Sequence, residues 1–335
     1  MQRRYFIALV GGATIAWALA TRAQPATKMP RIAFLSPGRS ELSDPIFNML
    51  NAFLHRLHDL GYAEGQNLAI ERQYADGRSD RLPGLAAELI SRKPDILVAF
   101  STTAALPARH ASGTIPIVVV GMADPVADGL IASLARPGGN VTGTTFLGPA
   151  VAAKRLQLLR EVVPGLSRVA VLWHPNAYGE RTMAGLMNEM KDAARTLGLQ
   201  LQLVPAFGPE DVVGAFAAMV RESAKALIVM PSPMLFGEYK RIVSFAANGR
   251  LPSMGAAREF ADLGGLMSYG VNQVDLARQT ATYVDKILKG AKPAELPVEQ
   301  PIKFELVINL KTARELGAAI SREIESRLVA DDVVE

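Results

Sequence analysis

The stretch VAFSTTAALPAR, Val98 to Arg109, decides the fold. An apolar run ends there in three hydroxyl residues, Ser101, Thr102 and Thr103, and an alanine-rich segment follows at once. The run, DILVAFS (95–101), lacks the apolar–polar alternation of a strand with one wet face, so it reads as a strand buried on both sides. A doubly buried strand that hands directly to a helix is the unit of a parallel sheet sandwiched between helices.

Further units of the same kind lie on either side. RIAFLS (31–36), LAIERQYA (68–75), IPIVVVG (115–121) and VTGTTF (141–146) are β-type runs. Between them, DPIFNMLNAFLHRLHDLGY and RSDRLPGLAAELISRK place Ile, Leu and Phe three to four residues apart, as one buried helix face requires. The order then repeats with RVAVLW (168–173), LQLQLVPAF (199–207), ALIVMP (226–231), LPSMGAA (251–257) and LMSYGV (266–271). Helical stretches intervene again, ERTMAGLMNEMKDAARTLG closing on Gly198 and SPMLFGEYKRIVSFAANG on Gly249.

The fold class is therefore α/β, with two similar doubly wound parallel-sheet lobes. After them come an amphipathic helix, VNQVDLARQTATYVDKILKG, a proline-rich connector, AKPAELPVEQP, and a late strand, KFELVINL. A chain of that order crosses between lobes more than twice, which makes a multi-crossing hinge.

Composition agrees with two compact domains: 335 residues, 49% hydrophobic and 20% charged. The first residues, MQRRYFIALVGGATIAWALATRAQP, carry a basic start, an apolar run and a small-x-small site, so a cleavable secretory signal is expected over 1–23. Arg3 and Arg4 resemble a twin-arginine export signal, although Gln2 precedes them and no lysine follows Ile7; general secretion is the other route. The formal charge of +4 includes Arg3, Arg4 and Arg22, so removing those three leaves +1. With no basic stripe and no cysteine, nucleic-acid binding, disulfides and thiolate metal sites are not expected.

Several blocks match a known family: RRYFIALVGGATIAWALATRAQ, GYAEGQNLAIERQYADGRSDRLPGLAAELI, DPVADGLIASLARPGGNVTG, GGLMSYGVN, YVDKILKGAKPAELPVEQP and FELVINLKTARELG. Across its whole length the chain resembles bacterial ABC-transporter substrate-binding proteins related to tryptophan/tyrosine-binding proteins, which have a type I periplasmic binding fold. The resemblance implies a periplasmic receptor that closes two lobes on a small solute and delivers it to an inner-membrane permease. It also implies a first lobe of 30–146 with 272–293 and a second of 147–271 with 294–335. A monomer without cofactor is expected.

In the strand order 2-1-3-4-5 expected of that fold, Ser101, Thr102 and Thr103 stand at the topological switch point, where open α/β sheets bind ligands. Their hydroxyls and the free N–H groups of the next helix can hold a carboxylate, although one of them can equally be an N-cap. Other post-strand loops supply Ser36, which can equally belong to a Pro-Gly turn, and Asp124, a partner for a ligand ammonium or a helix cap before Pro125. The second lobe offers Asn176, Tyr178 and Ser232, with Met234 and Phe236 as apolar surface, and the hinge offers Phe146 and Tyr269. Such a site suits an amino acid or related carboxylate with an aromatic or branched side chain.

Rival readings keep the same cleft. An exported enzyme needs a nucleophile with a base, but His174 has no partner at nucleophile-elbow spacing and no GxSxG is present. His55 and His58 are three apart on a helix without an evident third metal ligand, so no metal is expected. Arg258 and Glu259 can reach a polar ligand or pair with each other at the surface, the pair being favoured. RPGGNVTG matches no phosphate-binding fingerprint and reads as a turn into a strand. A sensory binding module of the same fold would carry a helix-turn-helix or receptor tail in place of the export signal.

Overall fold

The computed structural model describes residues 29–39, 45–318 and 333–334. The expected signal, 1–23, lies outside the described residues.

The first lobe alternates β1 (Arg31–Ser36), α1 (Pro45–Asp59), β2 (Ala69–Tyr74), α2 (Leu82–Ser91), β3 (Ile96–Phe100), α3 (Ser101–Ala111), β4 (Ile117–Met122) and β5 (Val141–Thr145). Its strands are all parallel in the order β2-β1-β3-β4-β5. Alternate residues of each central strand feed opposite layers, the consequence of a two-residue side-chain repeat. Phe34, Val98, Phe100 and Val120 face one layer with Phe53 of α1, and Leu35, Ala99 and Val119 face the other with Leu89 of α2 and Ala105 of α3. β2, at the edge, is half-buried throughout and carries the polar Glu71, Arg72 and Gln73.

The second lobe runs α4 (Gly148–Val162), β6 (Arg168–Trp173), α5 (Glu180–Leu197), β7 (Gln200–Pro205), α6 (Asp211–Arg221), β8 (Ala226–Val229), α7 (Pro233–Gly237), α8 (Tyr239–Asn248), β9 (Ser253–Gly255), α9 (Arg258–Asp262) and β10 (Met267–Gly270). After α10 (Gln273–Leu288) come β11 (Glu305–Asn309), α11 (Leu310–Leu316) and β12 (Val333–Val334). The sheet order is β12-β11-β10-β9-β8-β6-β7, so β6 to β10 repeat the first lobe's winding. β11 adds antiparallel to β10.

Local signals hold in detail. α5 buries Leu186, Met187, Met190 and Ala194 on one face and ends at Gly198, whose φ of 66° is the left-handed cap. The segment expected as one helix up to Gly249 is two, α7 and α8, divided at Glu238.

The chain passes between lobes near Phe146 and Leu147, again at Val271, and once more before β11. Leu147 takes a φ of 54°, a strained value for a branched-tip residue at the first crossing. α10 returns to the first lobe, where Leu276, Ala277, Ala281 and Val284 join the core of Phe34 and Phe53. Residues 294–299 stay there too: the Thr142 hydroxyl donates to the Leu296 carbonyl at 2.8 Å, and Thr145 N–H donates to the Glu299 carbonyl at 2.9 Å. The third crossing therefore falls after Glu299, not at 294, because the open edge of β5 has backbone groups to satisfy.

Candidate functional site

Right-handed crossovers place the loops after every parallel strand on one edge of each sheet, and here the two edges meet. They border a partly open space whose water-accessible volume is about 30 Å³. The first lobe lines it with Met49, Phe100, Ser101, Val120, Gly121, Phe146 and Gln273, the second with Tyr178, Pro231, Ser232, Pro233 and Phe236. The wall is thus mostly ring and alkyl surface with a few separated polar atoms, the usual make-up of a small-molecule site.

Four of the residues expected from sequence line this space: Ser101, Phe146, Tyr178 and Ser232. Ser101 opens α3 with a φ of 67°, and its hydroxyl is buried without a hydrogen-bond partner among the described residues. A non-glycine residue held in the left-handed region costs on the order of 1 kcal/mol or more and is characteristic of ligand clamps. The first-turn N–H groups of α3 also have no intrahelical acceptor, so hydroxyl and helix terminus offer donors at one place. Phe146 packs against the cores of both lobes, and its ring lies 6.1 Å from that of Tyr178. The Tyr178 hydroxyl donates to the Pro231 carbonyl, which fixes the ring as a wall, and the Ser232 hydroxyl accepts from Leu235 N–H at 3.1 Å as the cap of α7.

The other seven do not line it. The Ser36 hydroxyl accepts from Gly38 N–H at 3.1 Å, in the Pro-Gly turn. Thr102 is fully buried and its hydroxyl accepts from Ala123 N–H at 3.1 Å; Thr103 donates to the Ala177 carbonyl at 2.8 Å, across the lobes. The Asp124 carboxylate accepts from Ala127 N–H at 3.0 Å, the cap geometry that Pro125 allows. Asn176 stands at the outer rim with Arg78, Ser79 and Asp80. Met234 is buried in the second core, and Tyr269 stacks on Phe304 at 5.9 Å. Backbone donors and acceptors take up the side chains of Ser36, Thr102, Thr103 and Asp124, as buried polar groups demand.

Sequence reading missed Met49, Phe100, Val120, Gly121, Pro231, Pro233 and Gln273 as wall residues, and Phe236 entered it only as apolar surface. Nothing in an apolar strand marks which end faces a cleft. The one available signal was position: Phe100 and Val120 are at or near the last places of their strands.

His55 and His58 are exposed on α1. Arg258 pairs with Asp262 at 3.5 Å, one helical turn on, while Glu259 is held above its usual pKa by burial. In RPGGNVTG, Gly138 turns with a φ of 73° and the Asn140 amide donates to the Ser112 and Ile115 carbonyls, a structural role.

Contacts across the cleft mouth hold the lobes together. Arg39 of the first lobe pairs at 2.9 Å with Glu238 of the second, which is 5% exposed and also bound by Arg241 at 2.7 Å. The Thr182 hydroxyl donates to the Asp124 carbonyl at 3.3 Å, and Asp128 of the first lobe lies against Gly179 before α5, both its carboxylate oxygens buried without a hydrogen-bond partner among the described residues. Ser79 meets His174 Nε2 at 3.4 Å. This is a serine–histidine contact without a third member, since His174 Nδ1 has no partner among the described residues to orient the ring as a base.

Burial depresses the His174 pKa from 6.5 to about 4. A hinge opening that withdrew Ser79 and rewetted the ring would return the pKa to its ordinary value. Above the ordinary pKa the ring is neutral in both forms; as pH falls below it, the open form takes up a proton that the closed form refuses. Solute affinity is thus expected to fall about tenfold between about pH 7.5 and about pH 5.5. Burial raises the Asp128 pKa and acts in the opposite sense, so the histidine share is read as the difference between wild type and His174→Asn in calorimetric titrations at both pH values. Equal slopes for the two proteins would remove His174 from closure.

Comparison with known proteins places the chain in a family. Residues 43–333 match the family model of ABC transporter substrate binding proteins. The chain is 26% identical over 266 residues to a tyrosine-binding protein of Clostridioides difficile (strain R20291), covering 79% of this chain and 75% of that one. It also resembles the crystal structure of a conserved domain protein from Vibrio cholerae O1 biovar El Tor, with a TM-score of 0.82 and 28% identity over 92% of this chain and 100% of that one. A second solved structure, the ABC domain of Streptococcus pneumonia in complex with L-Trp, has a TM-score of 0.79 and 24% identity, covering 89% of this chain and 98% of that one. The chain belongs to the ABC transporter substrate-binding protein family.

Proposed function

We propose that this protein is the periplasmic solute-binding component of an ABC importer, and that it holds a small carboxylate-bearing solute between its lobes. The observation that carries the reading is Ser101, a strained residue with an unpartnered buried hydroxyl at the start of α3, inside a cavity walled by Phe100, Phe146, Tyr178 and Phe236. A carboxylate at Ser101 and an aromatic or branched body among those rings use both halves of the wall. The names of two similar proteins, one a tyrosine-binding protein and one solved with L-Trp, support an amino acid or a related carboxylate.

The work is mechanical. The open form binds solute mainly through the first lobe, and contacts from the second stabilise closure. The lobes are taken as 30–146 with 272–293 and 147–271 with 294–335, the latter apart from the 294–299 strip that lies on β5. The partner is an inner-membrane permease, the protein acts as a monomer, and export is directed by residues 1–23. No described helix is long and apolar enough to cross a membrane.

A thermal-shift screen of the mature protein against amino acids, aromatic acids, sugars and nucleosides tests this. A solute at a hundred times its dissociation constant stabilises by about 2.7 kcal/mol, a rise of several degrees. A midpoint raised only by sugars or nucleosides would sink the carboxylate reading.

A further inference from the structure

We propose that Gln273 is a specificity-determining residue of this cavity, its side-chain amide donating, together with the Ser101 hydroxyl, to the carboxylate of the solute. The inference rests on the carboxylate reading above and names a residue that enforces it.

No described side chain lining the space is charged. An anion held there relies on neutral donors, and the two oxygens of a carboxylate taken out of water accept about four hydrogen bonds. The Ser101 hydroxyl, buried and unpartnered, supplies one. The other polar side chains of the wall are Tyr178, Ser232 and Gln273. Tyr178 gives its only proton to the Pro231 carbonyl. Ser232 accepts from Leu235 N–H, which leaves it one proton to give. Gln273 brings two N–H groups and makes no side-chain hydrogen bond among the described residues. All of these groups border one small space, so a solute between the lobes meets them together.

A structural role for Gln273 is already taken by its neighbour. Gln273 is the first residue of α10, directly after the second crossing, and is half-buried. The Asn272 side chain caps α10 by accepting from Asp275 N–H at 3.0 Å, and its amide donates to the Glu305 carboxylate of β11 at 2.9 Å. Gln273 has neither task. An amide that loses water as the lobes close is unfavourable unless something takes the place of that water. α3 and α10 therefore each begin at the cavity wall with a side-chain donor that no described residue uses. Ser101 and Gln273 both belong to the first lobe, so the pair is in place before closure and the Ser232 proton joins it afterwards.

Matched acids and amides test this by titration calorimetry: L-tryptophan against L-tryptophanamide, L-leucine against L-leucinamide, and 3-phenylpropionate against 3-phenylpropionamide. The wild type should bind the acid of a pair at least about tenfold more tightly than its amide. Gln273→Met, similar in length, should weaken the acid about tenfold and leave the amide nearly unchanged, which a merely structural loss would not do. Gln273→Glu, equal in size, should reverse the preference, because two carboxylates then share one uncharged site. An acid-to-amide ratio that stays at the wild-type value in both folded variants overturns the proposal. If neither variant folds, the side-chain amide signal of Gln273 in nitrogen-15 NMR decides: it should shift when the acid saturates the wild type, and an unmoved signal overturns the proposal. If no acid of any pair binds the wild type, the carboxylate reading itself has failed and this inference with it; if acids bind and the ratio ignores Gln273, that reading stands and only the role of Gln273 falls.

Discussion

Replacing Phe146 by alanine is expected to lower solute affinity about a hundredfold in a protein that still folds. The ring lines the cavity, touches the cores of both lobes and stands at the first crossing, so it is wall and pivot together. Truncating a buried phenylalanine costs about 3–5 kcal/mol. Phe146 is only half-buried, and a share of its contacts, those to Tyr178 among them, depends on the second lobe. Loss of that share weakens the closed form by about 2.7 kcal/mol, which is the hundredfold. Titration calorimetry with a solute from the thermal screen measures it, with Val213→Ala, exposed on α6, as the control expected to leave affinity unchanged. Wild-type affinity in Phe146→Ala would place the solute elsewhere.

Gly270→Val is expected to prevent folding. Gly270 ends β10 just before the second crossing, and a Cβ there would lie 2.0 Å from the Ala256 carbonyl oxygen and 3.0 Å from its carbon. Those are backbone atoms beside the neighbouring strand β9, so no side chain can rotate out of the way. The destabilisation expected is above about 4 kcal/mol, enough to abolish a cooperative thermal transition in circular dichroism. Gly185→Ala makes the contrast: within α5, with nothing within 4 Å of its Cβ position, it should stabilise by about 0.5–1 kcal/mol. A folded Gly270→Val protein would mean that β9 and β10 can separate.

The sheets were legible because doubly buried parallel strands leave continuous apolar runs, and the runs at 31–36, 95–101 and 168–173 come close to β1, β3 and β6. The repeated order of runs also exposed the second lobe. What stayed hidden was set by pairing at a distance. Ser101, Thr102 and Thr103 are alike in sequence, yet Ala123 N–H and the Ala177 carbonyl, both remote in the chain, claim two of them and leave Ser101 to the cavity. Asp124 reads equally as ligand partner or cap until Ala127 N–H is seen on its carboxylate. Arg155 looks like an ordinary charge on an amphipathic helix, yet it is 2% exposed and donates to the Tyr269 carbonyl, 114 residues later in the chain. The strip 294–299 carries no mark that it lies on β5, since edge pairing uses the backbone alone.

Closure on a solute is the central claim, and the distance across the cleft mouth measures it. The chain has no cysteine, so cysteines introduced at Asp80 and Glu210, which line the same rim pocket from opposite lobes, can be spin-labelled without background. Pulsed dipolar spectroscopy should give a broad, longer distance in solute-free protein and a short, narrow one once a stabilising carboxylate saturates it. A distribution that the same carboxylate leaves unchanged would contradict binding by closure of the two lobes.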